Sequence, residues 1–432
     1  MTNPDFAATF PLPTITSEGK AALDQLLKDT EKEGKVPPVF FAACNAQEIL
    51  YENQEGWVEE EKRERGRING DTTLHLFSMS KLVTSVACLQ LVEQGKIAVD
   101  DAEAVARYVP ELAMESLQIL EGYDDESGKA IYRKPTRGIT LRMLLTHTAG
   151  LFYTFIQAPK DPRVARWAKE NNPKGLFDAE EPKEWLTPLI YEPGTSYIYS
   201  TGIDWAGVLV ERISGQSLEQ YFQEKMFKPL GLKDTTFIPR QDIQARLMKV
   251  RARPAGGPLI ALPGRAVGKP DTEAELKLHS GGGGLFGTSR EYLLFLQNIL
   301  ACSGKNPNPP AFRLIKPETY ELLFAPAIPP LSDDNDCLTK LVEFTGRSGQ
   351  MKPPPTTDTV QHSLGLFLHL ENSEHGRLMG SGAWSGMAKT MFWLDPASGV
   401  AVVCNTQLLE EAPENWRKVF NAFERTFYDH LQ

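Results

Sequence analysis

The sequence is poor in cysteine and histidine, and neither residue type is spaced for a disulfide or metal site. Its five cysteines are widely separated, odd in number and free of CxxC pairs, so neither a disulfide framework nor a zinc site is predicted. The seven histidines contain no HxxxH or HExxH pair, which leaves metal catalysis without support. A GxGxxG segment at 282–287 is followed about twenty residues later by Lys305-Asn-Pro instead of an acidic residue, which argues against a dinucleotide site. We therefore expect no metal and no cofactor.

Three further features are missing: long apolar runs, net positive charge and a GxSxG motif. No apolar run approaches the length of about 18 residues that a membrane span needs. The formal net charge of -10 argues against nucleic acid or an anionic membrane as a partner. The first ten residues carry Asp5 and no basic segment, so they do not resemble a secretory signal. These absences predict a soluble cytoplasmic protein, and the missing GxSxG excludes the nucleophile elbow of an α/β-hydrolase.

The order of predicted strands and helices indicates one sheet built from both ends of the chain. Strands are predicted at 39–44, 48–51, 362–370, 388–394 and 399–405, with helices at 17–33 and 413–431. The middle of the chain has helical periodicity instead. The predicted fold class is α+β: an antiparallel sheet flanked by helices, with an inserted, mainly helical domain. We predict a sheet domain at 1–105 and 271–432 and the inserted domain at 106–270.

The first motif with chemical meaning is Ser78-Met79-Ser80-Lys81, at the predicted start of a core helix over 78–93 that Gly95 would cap. Residues three apart share a helix face, so the Lys81 amine can reach the Ser78 hydroxyl. A serine hydroxyl is a weak nucleophile that needs such a proton acceptor. The backbone N–H at this helix start is also a ready donor for an oxyanion. Alone, the pattern is more often that of a helix cap followed by a solvent-reaching lysine.

Two glycine-containing segments add further candidates. The segment 192–202 presents Tyr199 just before a predicted helix, where a tyrosine near a lysine can act as a general base. The segment 380–387 leads into a strand, and its glycines allow a close backbone approach, so the N–H of Met387 is a second oxyanion donor. A packed aromatic residue and an ordinary loop are the alternatives for these two segments.

Taken in this order, the three segments resemble the serine β-lactamase and penicillin-binding superfamily. They are most similar to its class C-like branch, with the family VIII carboxylesterases and the lovastatin-acyltransferase-type transesterases. Segments resembling the family's framework motifs are 141–151, 209–215 and 281–290. The resemblance implies a β-lactamase/transpeptidase-like fold, Ser78 as nucleophile, Lys81 as its proton partner and Tyr199 as the base. It also implies an oxyanion hole formed by Ser78 and Met387.

The chain departs from the β-lactamase pattern at two positions. Thr201 stands where the family usually has the asparagine of Tyr-x-Asn, and Trp384 stands where the third motif has lysine. The lysine that meets an antibiotic's carboxylate is therefore missing, and efficient β-lactam hydrolysis is not expected. The pattern Trp384-Ser-Gly386 is instead similar to that of the family VIII carboxylesterases. The candidate substrate-binding residues are Trp384, Gly386, Thr201, Phe152 and Tyr153, although packing alone would explain most of the aromatic ones.

The expected function is that of a serine carboxylesterase, which forms a covalent acyl-enzyme with esters or thioesters of small to medium acyl groups. The alternative is an acyltransferase of secondary metabolism that passes the acyl group to an alcohol, because the two activities differ only in the acceptor. A β-lactamase, a D-amino-acid peptidase and a non-catalytic scaffold are less favoured. The expected partners are small molecules, with no nucleic acid and no membrane.

Overall fold

The computed structural model describes residues 10–254, 257–262, 276–346, 354–410 and 413–432 of the chain. Within these residues the helices are α1 (Ser17–Glu33), α2 (Ser80–Glu93), α3 (Ala102–Tyr108), α4 (Leu141–Leu145), α5 (Thr154–Gln157), α6 (Pro162–Asn171), α7 (Gly202–Ser214), α8 (Leu218–Phe222), α9 (Lys228–Leu230), α10 (Gln241–Ala245), α11 (Ser289–Ala301), α12 (Pro317–Leu323), α13 (Cys337–Gly346) and α14 (Glu414–Asp429). None of the helices in the described part of the chain is both long and apolar enough to cross a membrane.

Most of the longer strands belong to one antiparallel sheet. The strands are β1 (Val39–Cys44), β2 (Ile49–Glu55), β3 (Thr73–His75), β4 (Ile119–Tyr123), β5 (Ala130–Arg133), β6 (Arg251–Ala252), β7 (Ile260–Ala261), β8 (Phe286–Thr288), β9 (Val360–His362), β10 (Phe367–His369), β11 (Gly382–Ser385), β12 (Thr390–Asp395), β13 (Val400–Asn405) and β14 (Leu408–Leu409). The main sheet has the order β2–β1–β13–β12–β11–β10–β9. Because β1 and β2 come from the start of the chain and the others from its end, the predicted antiparallel sheet is confirmed.

Both faces of this sheet are covered by helices. On one face Phe40 packs in the same core as Leu82 of α2 and residues of α11. On the other face Phe41 stacks on Phe423 of α14, with 4.7 Å between ring centroids, and α1 packs beside it. Successive side chains of a strand point to opposite faces, so a strand covered on both sides needs apolar residues at every position. This explains the unbroken apolar run of β1, whose six residues are all buried.

Several predicted elements differ from the structure in their bounds, and local geometry explains two of these differences. The core helix begins at Ser80 instead of Ser78, because Phe77 has a left-handed backbone conformation with φ of 49° and Phe77–Met79 form a 3-10 turn. The predicted cap is confirmed, since Gly95 has φ of 66° and donates its N–H to Val92. The strand predicted at 362–370 is wrong as a single element. The side chain of Ser363 binds backbone atoms of Leu366 and turns the chain between β9 and β10.

The predicted middle region contains most of the short helices but also a β-hairpin that the sequence interpretation overlooked. Strands β4 and β5 pair antiparallel, with a register shift between Leu120 and Gly122. The division of the chain at 105/106 and 270/271 stays a prediction. The second of these boundaries lies outside the described residues.

Candidate active site

Ser78 lies in the 3-10 turn between β3 and α2 and lines a cavity. The preceding residue, Phe77, has a positive φ that non-glycine residues seldom adopt, and such strain is often found at functional sites. The ring of His75 stacks on the Phe77 ring at 3.8 Å between centroids. From the sheet, the Thr390 hydroxyl donates to the carbonyl of Leu76 at 3.0 Å. These contacts fix the turn and leave the Ser78 side chain partly exposed to the cavity.

The three side chains of the predicted catalytic group lie together. The Ser78 Oγ is 2.5 Å from the Tyr199 phenol oxygen, and the Lys81 amine donates to the same Oγ at 3.3 Å. The Lys81 side chain is almost fully buried, and its nitrogen lies 4.7 Å from the centroid of the Tyr199 ring. A serine hydroxyl so close to a phenol oxygen can pass its proton to the phenolate form of that tyrosine, and a nearby cation stabilises the negative charge as it moves to the serine oxygen.

His147 holds the loop that carries Tyr199. The backbone N–H groups of Ile198 and Ser200 donate to the carbonyl and the Nδ1 of His147, respectively. The imidazole packs edge-on against the Tyr199 ring at 4.9 Å. Burial is the main reason that the pKa of His147 lies well below its ordinary value, and the charges of His362 and Lys81 lower it further. A buried, neutral imidazole with these contacts positions the tyrosine and does not carry charge.

The glycine of the third motif lets β11 approach the turn that carries Ser78. A Cβ atom built on Gly386 would lie 2.6 Å from the backbone oxygen of Leu76 and still closer to the hydroxyl of Thr390. Met387 follows at the cavity mouth with its side chain 43% exposed. Among the described residues, no hydrogen-bond acceptor is found for its backbone N–H. Trp384 lies with its ring 5.8 Å from that of Tyr199.

The cavity above Ser78 has a volume of about 490 Å³ and mostly apolar walls. Of the predicted substrate-binding residues, Trp384, Gly386 and Tyr153 line it. Phe152 and Thr201 do not: Phe152 is fully buried against Trp167, and Thr201 is buried at the start of α7. Apolar residues of the wall that the sequence analysis did not assign to it include Ile156, Leu176, Phe177, Phe344, Phe367 and Met391.

Asp204 is the site residue that the sequence interpretation missed. It is fully buried in α7, and its carboxylate accepts hydrogen bonds from the Tyr153 hydroxyl at 2.7 Å, the Ser280 hydroxyl at 2.6 Å and the Gly282 N–H at 2.9 Å. Tyr153 in turn contacts Lys81. The sequence feature that could have indicated it is an acidic residue inside an otherwise apolar helix segment. A buried carboxylate is rare without a partner, so such a residue predicts hydrogen-bond donors around it.

Three cationic side chains, those of Lys160, Arg377 and Lys389, line the cavity. Arg377 is neutralised by the fully buried Glu424, with 2.5 Å between Nε and Oε1. Lys389 precedes β12 with φ of 65°, and burial lowers its pKa. In the described part of the chain, no group of three or more His, Cys, Asp or Glu side chains is arranged to hold a metal ion.

The family of the chain follows from comparison with known proteins. Residues 23–423 match the family model named Beta-lactamase. The chain is 30% identical over 366 residues to monacolin J acid methylbutanoyltransferase of Aspergillus terreus, and this match covers 84% of the chain and 83% of the relative. It is 36% identical over 263 residues to lovastatin esterase of Penicillium rubens, with 59% of each chain covered.

Solved structures agree with this assignment. Unliganded simvastatin synthase (LovD) of Aspergillus terreus superposes with a TM-score of 0.78 at 28% identity, covering 96% of this chain and 98% of that one. EstCE1, a hydrolase with promiscuous acyltransferase activity, shares the fold with a TM-score of 0.70 at 19% identity, covering 95% and 99% of the two chains. The chain therefore belongs to the beta-lactamase family and is a serine hydrolase or acyltransferase with that fold.

Proposed function

We propose that the chain transfers acyl groups through a covalent ester on Ser78. The Ser78 oxygen attacks the acyl carbon of an ester or thioester while its proton passes to Tyr199, which reacts as the phenolate and becomes a neutral phenol. The bond from the acyl carbon to the leaving oxygen or sulfur then breaks, and Tyr199 returns the proton to the leaving group. Lys81, the proton partner implied by the resemblance, donates a hydrogen bond to Ser78, and its nitrogen lies beside the Tyr199 ring. The observation that carries this proposal is the contact of Ser78 Oγ with both side chains, at 2.5 Å and 3.3 Å.

Two backbone N–H groups are proposed to stabilise the oxyanion of the tetrahedral intermediate. One belongs to Ser78, at the start of its turn, and the other to Met387. The absence of an acceptor for the Met387 N–H among the described residues supports this role, because an oxyanion donor must be available to the substrate. The contact of Gly386 with Leu76 supports it further, since it keeps the two donors on neighbouring segments.

The second half of the reaction is proposed to use water or an alcohol. Tyr199 takes a proton from the acceptor, the acceptor oxygen attacks the acyl carbon, and Ser78 recovers its proton as it leaves. Water gives the esterase reaction and an alcohol gives transfer. The apolar walls support an acceptor or leaving group with a bulky apolar body, and the name of the methylbutanoyltransferase relative supports a small branched acyl group.

Antibiotic hydrolysis is proposed to be weak. Trp384 occupies the third-motif position at which β-lactamases have lysine, and Thr201 is buried away from the cavity instead of presenting an amide to the substrate. We also propose that the protein works in the cytoplasm. The five free, buried cysteines support a reducing compartment, and the net charge of -10 supports small-molecule partners over nucleic acid.

The test is acylation by a p-nitrophenyl ester of a short acyl chain. Wild-type protein is expected to release p-nitrophenol and to gain one acyl mass on the peptide that contains Ser78. Ser78→Ala is expected to abolish both signals. Ser85→Ala is the matched control, because Ser85 lies in α2, the helix that follows Ser78, and its buried hydroxyl has no partner among the described residues. Undiminished turnover by Ser78→Ala would refute the proposed function.

The acceptor is identified in the same assay by adding an alcohol. Transfer is expected to give a new ester in addition to the free acid, and the ratio of the two products measures the preference. An apolar secondary alcohol and ethanol should be compared at equal concentration. If the apolar alcohol gives no more ester than ethanol does, the cavity walls do not select the acceptor.

A further inference from the structure

Four aromatic side chains near Tyr199 carry buried polar atoms that have no hydrogen-bond partner among the described residues. They form a polar cluster, and the unpaired atoms are Nε2 of His147, the hydroxyl of Tyr197, Nε2 of His362 and Nε1 of Trp384. The centroid of the His147 ring lies 5.8 Å from that of His362 and 6.0 Å from that of Trp384. The Tyr197 ring lies 6.1 Å from the His147 ring and 6.3 Å from the His362 ring. Buried polar atoms nearly always have a partner in the protein or in an ordered water, so four unpaired atoms on neighbouring rings indicate a shared ligand.

The hydrogen bonds that the two histidines already make determine where their protons are. The backbone N–H of Ser200 donates to Nδ1 of His147, and burial lowers the pKa of His147 well below its ordinary value, so the single ring proton is on Nε2. His362 is the reverse case. Its Nδ1 lies 2.6 Å from the carbonyl oxygen of Ser363, which can only accept, so Nδ1 carries the proton. Because burial also lowers the pKa of His362 to about 4, its Nε2 is left with a free lone pair.

The polar cluster therefore offers two donors, one acceptor and one hydroxyl that can act as either. The donors are the N–H groups of His147 and Trp384, and the acceptor is Nε2 of His362. A water molecule accepts two hydrogen bonds and donates two, and a buried water usually binds about three otherwise unpaired groups. An anion would need donors alone. A metal ion would need a lone pair on both histidines, and that of His147 is already used by Ser200.

We propose that the polar cluster binds one ordered water molecule, which accepts hydrogen bonds from His147 and Trp384 and donates one to His362. The Tyr197 hydroxyl is its fourth partner. The four residues come from four separate parts of the fold, namely the turn after α4, the loop before α7, β9 and β11. One water in this place connects the loop of the helical region to two strands of the main sheet.

This water links the residue that holds Tyr199 to the wall of the cavity, a role that rests on the proposed function. His147 binds the backbone on both sides of Tyr199, and Trp384 lines the cavity with its ring 5.8 Å from the tyrosine ring. His147 also has φ of 58°, which non-glycine residues seldom adopt and which surrounding contacts must maintain. His362 and Tyr197 do not line the cavity. Through the water they become positioning residues for the proposed base and for the wall.

The direct test is a crystal structure of the wild-type protein at a resolution that shows ordered waters. One water is expected within about 2.7–3.2 Å of the Nε2 atoms of both histidines. A cluster without a water, or a direct hydrogen bond between His147 and His362, would overturn the proposal. This test needs no variant and no activity.

The positioning role is tested by two replacements of His362. A glutamine amide reaches the place of Nε2 and can accept from the water, whereas an asparagine amide reaches only the place of Nδ1 and can replace the bond to Ser363 alone. Because a misplacement of about 1 Å can cost on the order of a hundredfold in rate, we expect His362→Asn to lose about tenfold or more in kcat, with a smaller change in KM. His362→Gln should retain most of kcat. A role in packing alone would not distinguish the two amides in this order.

Tyr197→Phe removes one of the four partners and should lower kcat by less than His362→Asn, because the water keeps three. Ser85→Ala is its matched control, since it also removes a buried hydroxyl without a partner among the described residues, in α2 and outside the polar cluster. The control should keep wild-type kcat. Equal kcat in His362→Gln and His362→Asn would overturn the positioning role, and if His362→Asn does not fold, a Tyr197→Phe enzyme with the kcat of the control would do so.

Failure of this inference and failure of the proposed function give different results. Acylation of Ser78 in the wild-type protein is measured by mass in parallel. If Ser78 is acylated and the crystal structure shows no water, the inference alone is wrong. If the water is present and Ser78 is never acylated, the proposed function is wrong and the positioning role fails with it, while the water site stands.

Discussion

Replacement of Gly386 by alanine tests whether the approach of β11 to the Ser78 turn is required for catalysis. The added Cβ would lie 2.6 Å from the Leu76 oxygen and 3.1 Å from the Phe77 Cβ, and it would overlap the Thr390 hydroxyl. Separations below about 3 Å are not seen for a real Cβ, and two of the three neighbours belong to the turn itself or to the residue before it. The strand and the turn must therefore move apart.

The size of the effect follows from this geometry. Extra methyl groups in a well-packed interior typically cost about 1–3 kcal/mol, and we expect a loss of unfolding free energy in that range. A misplacement of about 1 Å in a catalytic arrangement can cost on the order of a hundredfold in rate. Because the shift would separate the proposed oxyanion donors of Ser78 and Met387, the loss should be in kcat, with a smaller change in KM.

The assay is steady-state hydrolysis of the p-nitrophenyl ester together with urea unfolding of the same variant. Gly122→Ala is the matched control, because a Cβ at Gly122 meets nothing within 4 Å and no positive φ has to be kept. The control should change stability by less than about 0.5 kcal/mol and leave kcat unaltered. A folded Gly386→Ala enzyme with wild-type kcat would refute both the packing argument and the proposed role of Met387.

Three further predictions concern stability and reactivity. Burial lowers the pKa of His75 and His362 to about 4 and that of His369 to about 3. The unfolded chain therefore takes up protons that the folded chain does not, so the free energy of unfolding should fall as the pH drops below about 6.5. Urea titrations at several pH values would measure this fall, and a flat profile would contradict it. Glu424→Gln should destabilise the fold by about 3–5 kcal/mol because it leaves buried Arg377 unpaired, and a loss below about 1 kcal/mol in urea would show that the pair is dispensable. All five cysteines are free and buried, so a thiol reagent should label none before denaturation and five after it, whereas rapid labelling of the native protein would disprove their burial.

The sequence was most informative where chemistry and local geometry coincide. Residues 78 and 81 are three apart, and a helical turn of any kind brings them to one side, so the contact of the lysine with the serine did not depend on the remaining fold. The sheet was also predictable, since β1 and β13 are apolar strands at opposite ends of the chain that need partners. The exact start of α2 was not, because the positive φ of Phe77 is set by tertiary contacts with His75 and with the sheet.

Pocket residues were harder to predict because exposure depends on which face of a helix or loop meets the cavity. Phe152 and Tyr153 are adjacent in sequence, yet the first is packed against Trp167 and the second reaches Lys81. Composition treats both as apolar aromatic residues. Only the fold, which brings the segment before α5 against α2, assigns one of them to the core and the other to the site.

The hydrogen bonds of Asp204 show that an acidic residue inside an apolar helix can indicate a functional site. A carboxylate in the first turn of α7 is compatible with a solvated helix start, where the helix dipole favours it. Its neighbours Ile203 and Trp205 are buried, however, and three consecutive residues of a helix cannot all face the core unless the helix is surrounded. A surrounded helix with an acidic residue must supply that residue with donors or a cation. In this chain the donors are Ser280, the N–H of Gly282 and the hydroxyl of Tyr153, and Tyr153 also contacts Lys81. The surroundings of Lys81 therefore depend on three segments that are distant in the sequence.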